Sequence, residues 1–297
     1  MAESADESLF QEVPPKYSEL KGIIRIFFRR KVAVIGLVFI VLMALTAIFA
    51  PLLARYDPYD TDVVNRLAPP SSEHWLGTDS VGRDLLSRMI YASRPSLLVG
   101  VLAVGMGAVI GQTLGLIAGF YGGWVFNIIM RLIDAMMAIP QLVLALVIST
   151  LLGGGLKNVI IALGIGGIPV HCRMMCGQAM TVKENDYILA GRTIGVSDLR
   201  MMLRHIFPNA FPPLLVTITI GLGGTILAEA GLSFLGLGIV SPEAAWGSMI
   251  NEGYSFLLTN PLLSFAPGVF LMLVVFGFNM IGDGLRDALD PRLRGTL

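Results

Sequence analysis

The chain has 297 residues, of which 55% are hydrophobic and 14% are charged, and its formal net charge is zero. Soluble domains carry about 25% charged residues, so this composition argues against a water-covered globular protein and indicates a membrane protein. A net charge of zero gives no support to nucleic-acid binding. The two cysteines, Cys172 and Cys176, are too few for a disulfide framework.

The start of the chain, before Lys16, is acidic and polar, without a basic segment that leads into a short apolar one. We therefore expect no cleaved signal peptide. Residues 17–31 then place apolar side chains at helical spacing among basic residues, namely Leu20, Ile23, Ile24, Phe27 and Phe28. This pattern favours an amphipathic helix at the membrane interface. An ordinary basic flank of the first membrane span is the alternative.

Six apolar stretches approach the length of about 20 residues that a membrane-spanning helix needs. They cover residues 32–54, 96–120, 133–152, 158–172, 210–235 and 264–282. Fifteen of the 21 Lys and Arg residues fall on the side of the two termini and of the polar segment 173–209, and six fall on the other side. Because positively charged loops stay in the cytoplasm, we predict that both termini and segment 173–209 are cytoplasmic.

The predicted fold is therefore all-α and integral to the membrane, with six transmembrane helices. The chain divides into an N-terminal cytoplasmic tail with the interfacial helix (1–31), a first transmembrane helix (32–54), a periplasmic loop (55–94), a core of five transmembrane helices (95–285) and a C-terminal cytoplasmic tail (286–297).

In the second span, glycine recurs every fourth residue, so that one face of the helix carries no side chains. The glycines are Gly107, Gly111, Gly115, Gly119 and Gly123. Close backbone approach over small residues is one of the few forces that associate helices in lipid. The pattern predicts a tight seam against another transport helix, and generic packing inside a helical bundle is the open alternative.

Several polar residues lie in or beside the spans. Glu229 is in the fifth span, where an acid marks either a solute pathway or a buried structural hydrogen bond. Arg131 and Asp134, three residues apart, are expected to pair. His171 and the two cysteines lie at the predicted cytoplasmic edge of the fourth span and have the chemistry of a soft-metal site. Because cysteine is a common small apolar filler, we predict no metal there.

The segment after the fourth span predicts two short helices with a break between them. The first helix runs through Ala190, the chain breaks at Gly195, and the second helix starts at a cap formed by Ser197 and Asp198. Pro208 is expected to end the second helix. Such an element, held between two membrane spans, is suited to pressing on a cytoplasmic partner.

This segment resembles the EAA loop of ABC-importer permeases, whose pattern is E-A-A-x3-G-x9-I-x-L-P. Ala190, Gly195 and Pro208 match the first alanine, the glycine and the proline. Leu189 stands where the pattern has glutamate, and Gly191 replaces the second alanine. The resemblance implies that the loop forms the coupling helix, which sits in a groove of the ATPase subunit. The residues assigned to it are Ala190, Gly191, Arg192, Gly195, Ser197, Asp198 and Pro208.

Three further segments resemble the C-type subunit of dipeptide, oligopeptide and nickel permeases. Residues 74–88, HWLGTDSVGRDLLSR, are similar to the signature H-x-LGTD-x-x-GRD-x-x-SR, and residues 232–238 and 282–292 are similar to two later family segments. The candidate residues in the first signature are His74, Gly77, Asp79, Gly82, Arg83 and Asp84. Their charges either bind a ligand or fix the loop by local ion pairs, and we favour the ion pairs.

This resemblance, which covers the chain from about residue 20, implies a type I ABC importer permease fold in the bacterial inner membrane. It implies a homologous second permease as a heterodimer partner, two ABC ATPase subunits, an extracytoplasmic binding protein and the bilayer, but no nucleic acid. The chain has no Gly-Lys-Ser/Thr phosphate loop, so we expect no enzymatic activity and no cofactor, with ATP and Mg bound by the ATPase subunits. Peptides are the implied cargo. Nickel, glutathione or another small solute is the alternative, and an ion-coupled secondary transporter is the rival class.

Overall fold

The computed structural model of the protein describes residues 16–290. The expectations for residues 1–15 and 291–297 lie outside this range. The helices of the described part are α1 (Lys16–Arg29), α2 (Lys31–Ile48), α3 (Ala50–Leu53), α4 (Leu85–Tyr121), α5 (Gly123–Met137), α6 (Gln141–Leu152), α7 (Leu156–Lys183), α8 (Asp186–Thr193), α9 (Asp198–Arg200), α10 (Phe207–Phe234), α11 (Trp246–Tyr254) and α12 (Leu262–Leu289). A 3₁₀ turn lies at Val63–Asn65, and a π-helical segment at Met201–Ile206 joins α9 to α10.

Five helices of the described range are long and apolar enough to cross a bilayer: α2, α4, α7, the continuous helix 198–234 and α12. The number is six when α5 and α6, which meet at an angle of 86°, are counted together as one bent span. The predicted all-α fold with six membrane-spanning segments is confirmed in this form. The expected amphipathic helix at the start is also helical, as α1.

The third span differs from the prediction of one straight helix over residues 133–152. The chain breaks between α5 and α6 because Pro140 lacks an N–H donor and disfavours helical geometry in the residue before it. α5 also begins earlier than expected, at Gly123, which has a φ of +52°. Gly123 therefore belongs to α5 and lies outside the glycine ladder of α4.

The expected polar segment 173–209 is shorter than predicted, because α7 continues to Lys183 and the continuous helix 198–234 begins at Asp198, with α8 between them. The prediction that Pro208 ends a helix is wrong, since the helix runs through it into α10. The π-helical segment Met201–Ile206 directly precedes the proline. Such wider turns accommodate backbone groups that a proline leaves unpaired.

Contacts between helix ends define two sides of the helical bundle. Arg30, before α2, forms an ion pair with Asp287 in the last turn of α12. At the end of α4, a carbonyl accepts a hydrogen bond from Lys183 of α7. Near the start of α4, Arg94 donates a hydrogen bond to the carbonyl of Ala47 at the far end of α2, with an N–O distance of 2.6 Å. Both described ends of the chain therefore lie on the same side as α8, called here the α8 side. The loop before α4 lies with α11 on the opposite side, called the α11 side.

Candidate functional site

The loop between α7 and α10 turns at Gly195, which has a φ of +79°. The N–H of Val196 donates to the carbonyl of Gly191, and the N–H of Gly195 donates to that of Arg192, both at 3.0 Å. This pair of bonds is a Schellman motif, which favours glycine because a left-handed backbone costs other residues about 1–2 kcal/mol. Ser197 then occupies the N-cap position of α9, but its side chain makes no capping hydrogen bond.

One face of this loop is packed firmly against the ends of the long helices. Ile188 and Met201 are buried in a cluster with residues of α4 and α7. A Cβ atom on Gly191 would lie 2.7 Å from the terminal methyl of Met201. The methionine therefore fills the space that an alanine side chain, which the family pattern has at this position, would occupy. The guanidinium of Arg192 lies 5.1 Å from the centre of the Phe120 ring of α4. α8 is therefore joined to three long helices by side-chain contacts.

The loop also exposes large apolar side chains. Leu189 is 53% exposed, Ile194 81% and Leu199 63%. Scattered apolar residues are normal on a protein surface, but several on one short element mark an interaction site. Leu189, at the position where the family pattern has glutamate, is part of this exposed apolar set.

The glycine ladder of α4 lies directly against α7. A Cβ atom on Gly107, Gly111, Gly115 or Gly119 would lie 2.3–2.9 Å from a backbone carbonyl oxygen of α7, which is closer than real Cβ atoms come. The two backbones therefore approach so closely that any side chain at these positions would separate them. The partner of the seam is thus a helix of the same chain.

The α7 side of this seam holds the residues that the sequence suggested for a soft metal. Cys172 and Cys176 are both free and buried, and their backbone atoms face Gly115 and Gly119. His171 is 5% exposed. α7 continues for twelve residues beyond it to Lys183, and the place of His171 at the membrane edge stays a prediction. His171 thus lies near the middle of the spanning helix.

Glu229 is fully buried between α10 and α4. Its carboxylate accepts hydrogen bonds from Ser233 at 2.7 Å and from Ser96 at 3.4 Å. The hydroxyl of Ser233 in turn accepts a bond from the N–H of Ile239, at 2.8 Å, in the loop after α10. Of the two roles that the sequence left open, this geometry fits the structural hydrogen bond.

The expected pair of Arg131 and Asp134 is wrong, because Asp134 pairs with Arg173 of α7. About half of each of these two side chains is exposed. Exposed ion pairs of this kind contribute about 0–1 kcal/mol. The contact therefore marks where α5 lies against α7 and adds little to stability.

On the α11 side, residues 74–88 form a tight turn that begins α4. Asp84 caps the helix by accepting from the N–H of Ser87 at 2.8 Å, and it contacts Nδ1 of His74 at 2.9 Å. Gly77 and Gly82 have φ values of +82° and +86°, and a Cβ on either would collide with a backbone oxygen of the preceding loop. The glycines of this signature are therefore required by the shape of the turn.

A cluster of four charges, three of them buried and Glu252 partly exposed, fastens this turn to α11. Arg83 donates to Asp79 at 2.6 Å and to Glu252 of α11 at 2.9 Å. Arg88, fully buried, lies 3.5 Å from the Asp79 carboxylate and 3.6 Å from that of Glu252. Two positive and two negative groups balance, as buried charges require. This favours the predicted structural role for Asp79 and Arg83 over ligand binding.

Glu252 is the member of this cluster that the sequence did not reveal. It lies 169 residues from Arg83 along the chain, and the packing of α11 against α4 is what brings it near. Nearby, Trp246 is fully buried and its Nε1–H donates to the carbonyl of Met89 of α4 at 3.2 Å. The cluster and the tryptophan together attach α11 to the start of α4.

Replacing Glu252 by Gln is expected to lower the stability of the purified protein by about 1–2 kcal/mol, because charge-assisted hydrogen bonds become neutral ones. The thermal unfolding midpoint in detergent measures the change. The matched control is Glu243→Gln, at an exposed position on the same side. Equal midpoint shifts in the two variants would contradict the role assigned to the cluster.

Comparison with family models gives two matches. Residues 111–295 match the model described as "Binding-protein-dependent transport system inner membrane component". Residues 18–70 match the "N-terminal TM domain of oligopeptide transport permease C". The two matches cover Gly111, Gly115 and Gly119 of the glycine seam, the loop with α8, α11 and the first span.

Curated relatives and solved structures agree with these matches. The chain is 44% identical to a dipeptide transport system permease protein of Alkalihalophilus pseudofirmus, over 90% of this chain and 88% of the relative. It is 42% identical to an oligopeptide transport system permease protein of Bacillus subtilis, with the same coverage. It is 41% identical to a glutathione transport system permease protein of Pectobacterium atrosepticum, over 91% and 90%. A structure of the inward-facing MetNI methionine ABC transporter matches with a TM-score of 0.56 at 19% identity, over 69% of this chain and 98% of that chain, which shows a shared fold.

Proposed function

The chain belongs to the family of binding-protein-dependent transport system inner membrane components, and from this premise we propose that it carries di- and oligopeptides across the bacterial inner membrane. It is a membrane-spanning permease subunit of an ABC transporter, and the ATPase of such transporters is a separate subunit. The three relatives are named for dipeptides, oligopeptides and glutathione. These solutes share a peptide main chain, which supports peptides as the cargo class.

The observation that carries the proposed mechanism is the set of exposed apolar side chains on the loop with α8. The loop lies on the side to which both described chain ends point, and the distribution of Lys and Arg assigns this side to the cytoplasm. An apolar surface of this kind fits a groove of a soluble partner. We assign that partner as the ATPase subunit, with Leu189, Ile194 and Leu199 in the contact.

The buried face of the same loop provides the path for force. Ile188, Met201 and Arg192 contact residues of α4, α7 and the start of the continuous helix 198–234. Packed interfaces move as units because they do not deform continuously. Closure of the ATPase subunits on ATP and Mg would therefore shift these helices together. ATP drives the change by favouring one of two conformations of the whole importer.

A single copy of this chain forms one wall of the transport path, and a homologous second permease forms the other. We propose a heterodimer of permeases, served by two ATPase subunits and by an extracytoplasmic binding protein. The binding protein would dock on the α11 side. The cluster of Asp79, Arg83, Arg88 and Glu252 would hold that surface in one shape.

The complex of both permeases and both ATPase subunits, in liposomes with the loaded binding protein, is expected to take up a radiolabelled dipeptide only when ATP is supplied. A matched preparation with a hydrolysis-deficient ATPase subunit is the control and should give no uptake. Uptake driven by a proton or sodium gradient without ATP would reject the proposal in favour of a secondary transporter.

A further inference from the structure

A cavity of about 210 Å³ lies in the membrane-spanning part, between α4, α6, α7 and α10. Its wall on α10 carries small and hydroxyl-bearing residues at helical spacing, and Gln141 at the start of α6 and His171 of α7 add polar groups. The α10 residues are Thr217, Gly221, Gly224, Thr225 and Ala228. Glu229 does not line this cavity.

His171 borders the cavity near the middle of α7. It is 15 residues from the start and 12 residues from the end of α7, which places it about 20 Å from either end at 1.5 Å per residue. Its ring is 95% buried, and Nδ1 has no hydrogen-bond partner within the described chain. A buried polar group without a partner costs several kcal/mol in an apolar medium. The imidazole therefore has unused hydrogen-bonding capacity beside the cavity.

Two glycines at the cavity differ from those of the seam. A Cβ atom on Gly167 or Gly224 would meet nothing within 4 Å. Packing inside this chain therefore does not require glycine there, whereas Gly115 in the seam would place its Cβ 2.3 Å from an oxygen. The absence of side chains at these two positions leaves space in the cavity for a group from another molecule.

The cavity is smaller than a typical small-molecule site. Complete small-molecule sites enclose about 300–1,000 Å³, and this cavity is smaller and open. The facing permease subunit would complete it. The site is therefore incomplete without the partner chain.

We propose that this cavity is the wall of the solute path on this subunit and that His171 binds the main-chain amides of a peptide in transit. An imidazole offers one donor and one acceptor, the Gln141 amide offers both, and a Thr217 hydroxyl offers both. Together these groups match the alternating carbonyl and N–H groups of a peptide and are independent of its side chains. This inference rests on the proposed peptide cargo.

The first test replaces His171 by Phe, which keeps a ring and removes both nitrogens. Uptake of the radiolabelled dipeptide by the complete importer is expected to fall roughly fivefold, the effect of one lost hydrogen bond. Stimulation of ATP hydrolysis by the loaded binding protein should stay near the wild-type level, because the coupling loop is untouched. His171→Gln, which keeps a donor and an acceptor, should restore much of the uptake. Wild-type uptake by the Phe variant would overturn the role of His171.

The second test measures access of water to the cavity wall. Gly167→Cys and Gly224→Cys are made in a background in which Cys172 and Cys176 are alanine. The control is Gly105→Cys on α4, which is exposed, does not line the cavity and also has nothing within 4 Å of its Cβ position. A membrane-impermeant maleimide should label the two cavity positions, excess dipeptide should slow this labelling, and the Gly105→Cys control, inside the span but outside the cavity, should not react. Equal labelling of Gly105→Cys, or no cavity labelling in either the ATP-free or the ATP-bound complex, would overturn the inference.

The outcomes separate this inference from the proposed function. ATP-driven dipeptide uptake by the wild-type complex, together with wild-type behaviour of His171→Phe and an unlabelled cavity, removes the inference and leaves the function in place. Absence of dipeptide uptake by the wild-type complex removes peptides as cargo. In that case cavity labelling without protection by dipeptide would contradict peptide binding at His171 as well.

Discussion

Replacing Gly115 by Leu is expected to abolish assembly of a folded permease. A Cβ atom there would lie 2.3 Å from the carbonyl oxygen of Cys172, 3.0 Å from the N of Cys176 and 3.0 Å from the Cβ of Met175, so that backbone atoms of α7 would have to move. Overpacking of a well-packed core costs about 1–3 kcal/mol or more, and here the obstacle is a whole helix. Size-exclusion chromatography in detergent and copurification with the second permease measure the loss.

The matched control for this variant is Gly105→Leu on the same helix. A Cβ at Gly105 has nothing within 4 Å, so the side chain enters space outside the chain and the fold should survive. Both variants replace a glycine of α4 by leucine, but only Gly115 lies in the contact with α7. If Gly115→Leu purified as a monodisperse complex like the control, the close contact of α4 and α7 would be disproved.

Changing both Leu189 and Ile194 to Asp is expected to lower ATP-driven uptake by at least tenfold. These exposed side chains would enter an apolar groove of the ATPase subunit, and burying an unpaired carboxylate there carries a desolvation cost of several kcal/mol. The double variant should fold, because both positions are exposed. Copurification of the ATPase subunits with the permeases and binding-protein-stimulated ATP hydrolysis both report the loss.

Leu258→Asp serves as the control for the loss of the ATPase subunits. Leu258 is 99% exposed and lies between α11 and α12, on the α11 side. The variant introduces the same charge at an equally accessible leucine and should retain the ATPase subunits. Retention of ATPase subunits and of stimulated hydrolysis by the double variant of the loop would contradict the assignment of α8 as the coupling element.

Features that depend only on residues close together in the chain could be predicted from the sequence. The length of each apolar stretch gave the six spans because the bilayer sets one length for every helix. The glycine period predicted a side-chain-free face on α4, and Gly195 predicted the break in the loop, since a positive φ is a local demand. Pro140 is the residue that indicates the bend between α5 and α6. The apolar run around it led to the prediction of one straight helix.

The tertiary structure alone decided which helices meet. It selected α7 as the partner of the glycine face, Glu252 as the partner of Arg83, and Arg173 as the partner of Asp134. It also placed His171 at mid-helix beside a cavity. Such pairings join residues far apart in the chain, and hydrophobic helix surfaces are chemically too alike in lipid to specify a neighbour from composition. The sequence by itself therefore determined the apolar spans and the break at Gly195, whereas the packing of small residues and buried charges determined how the helices are arranged.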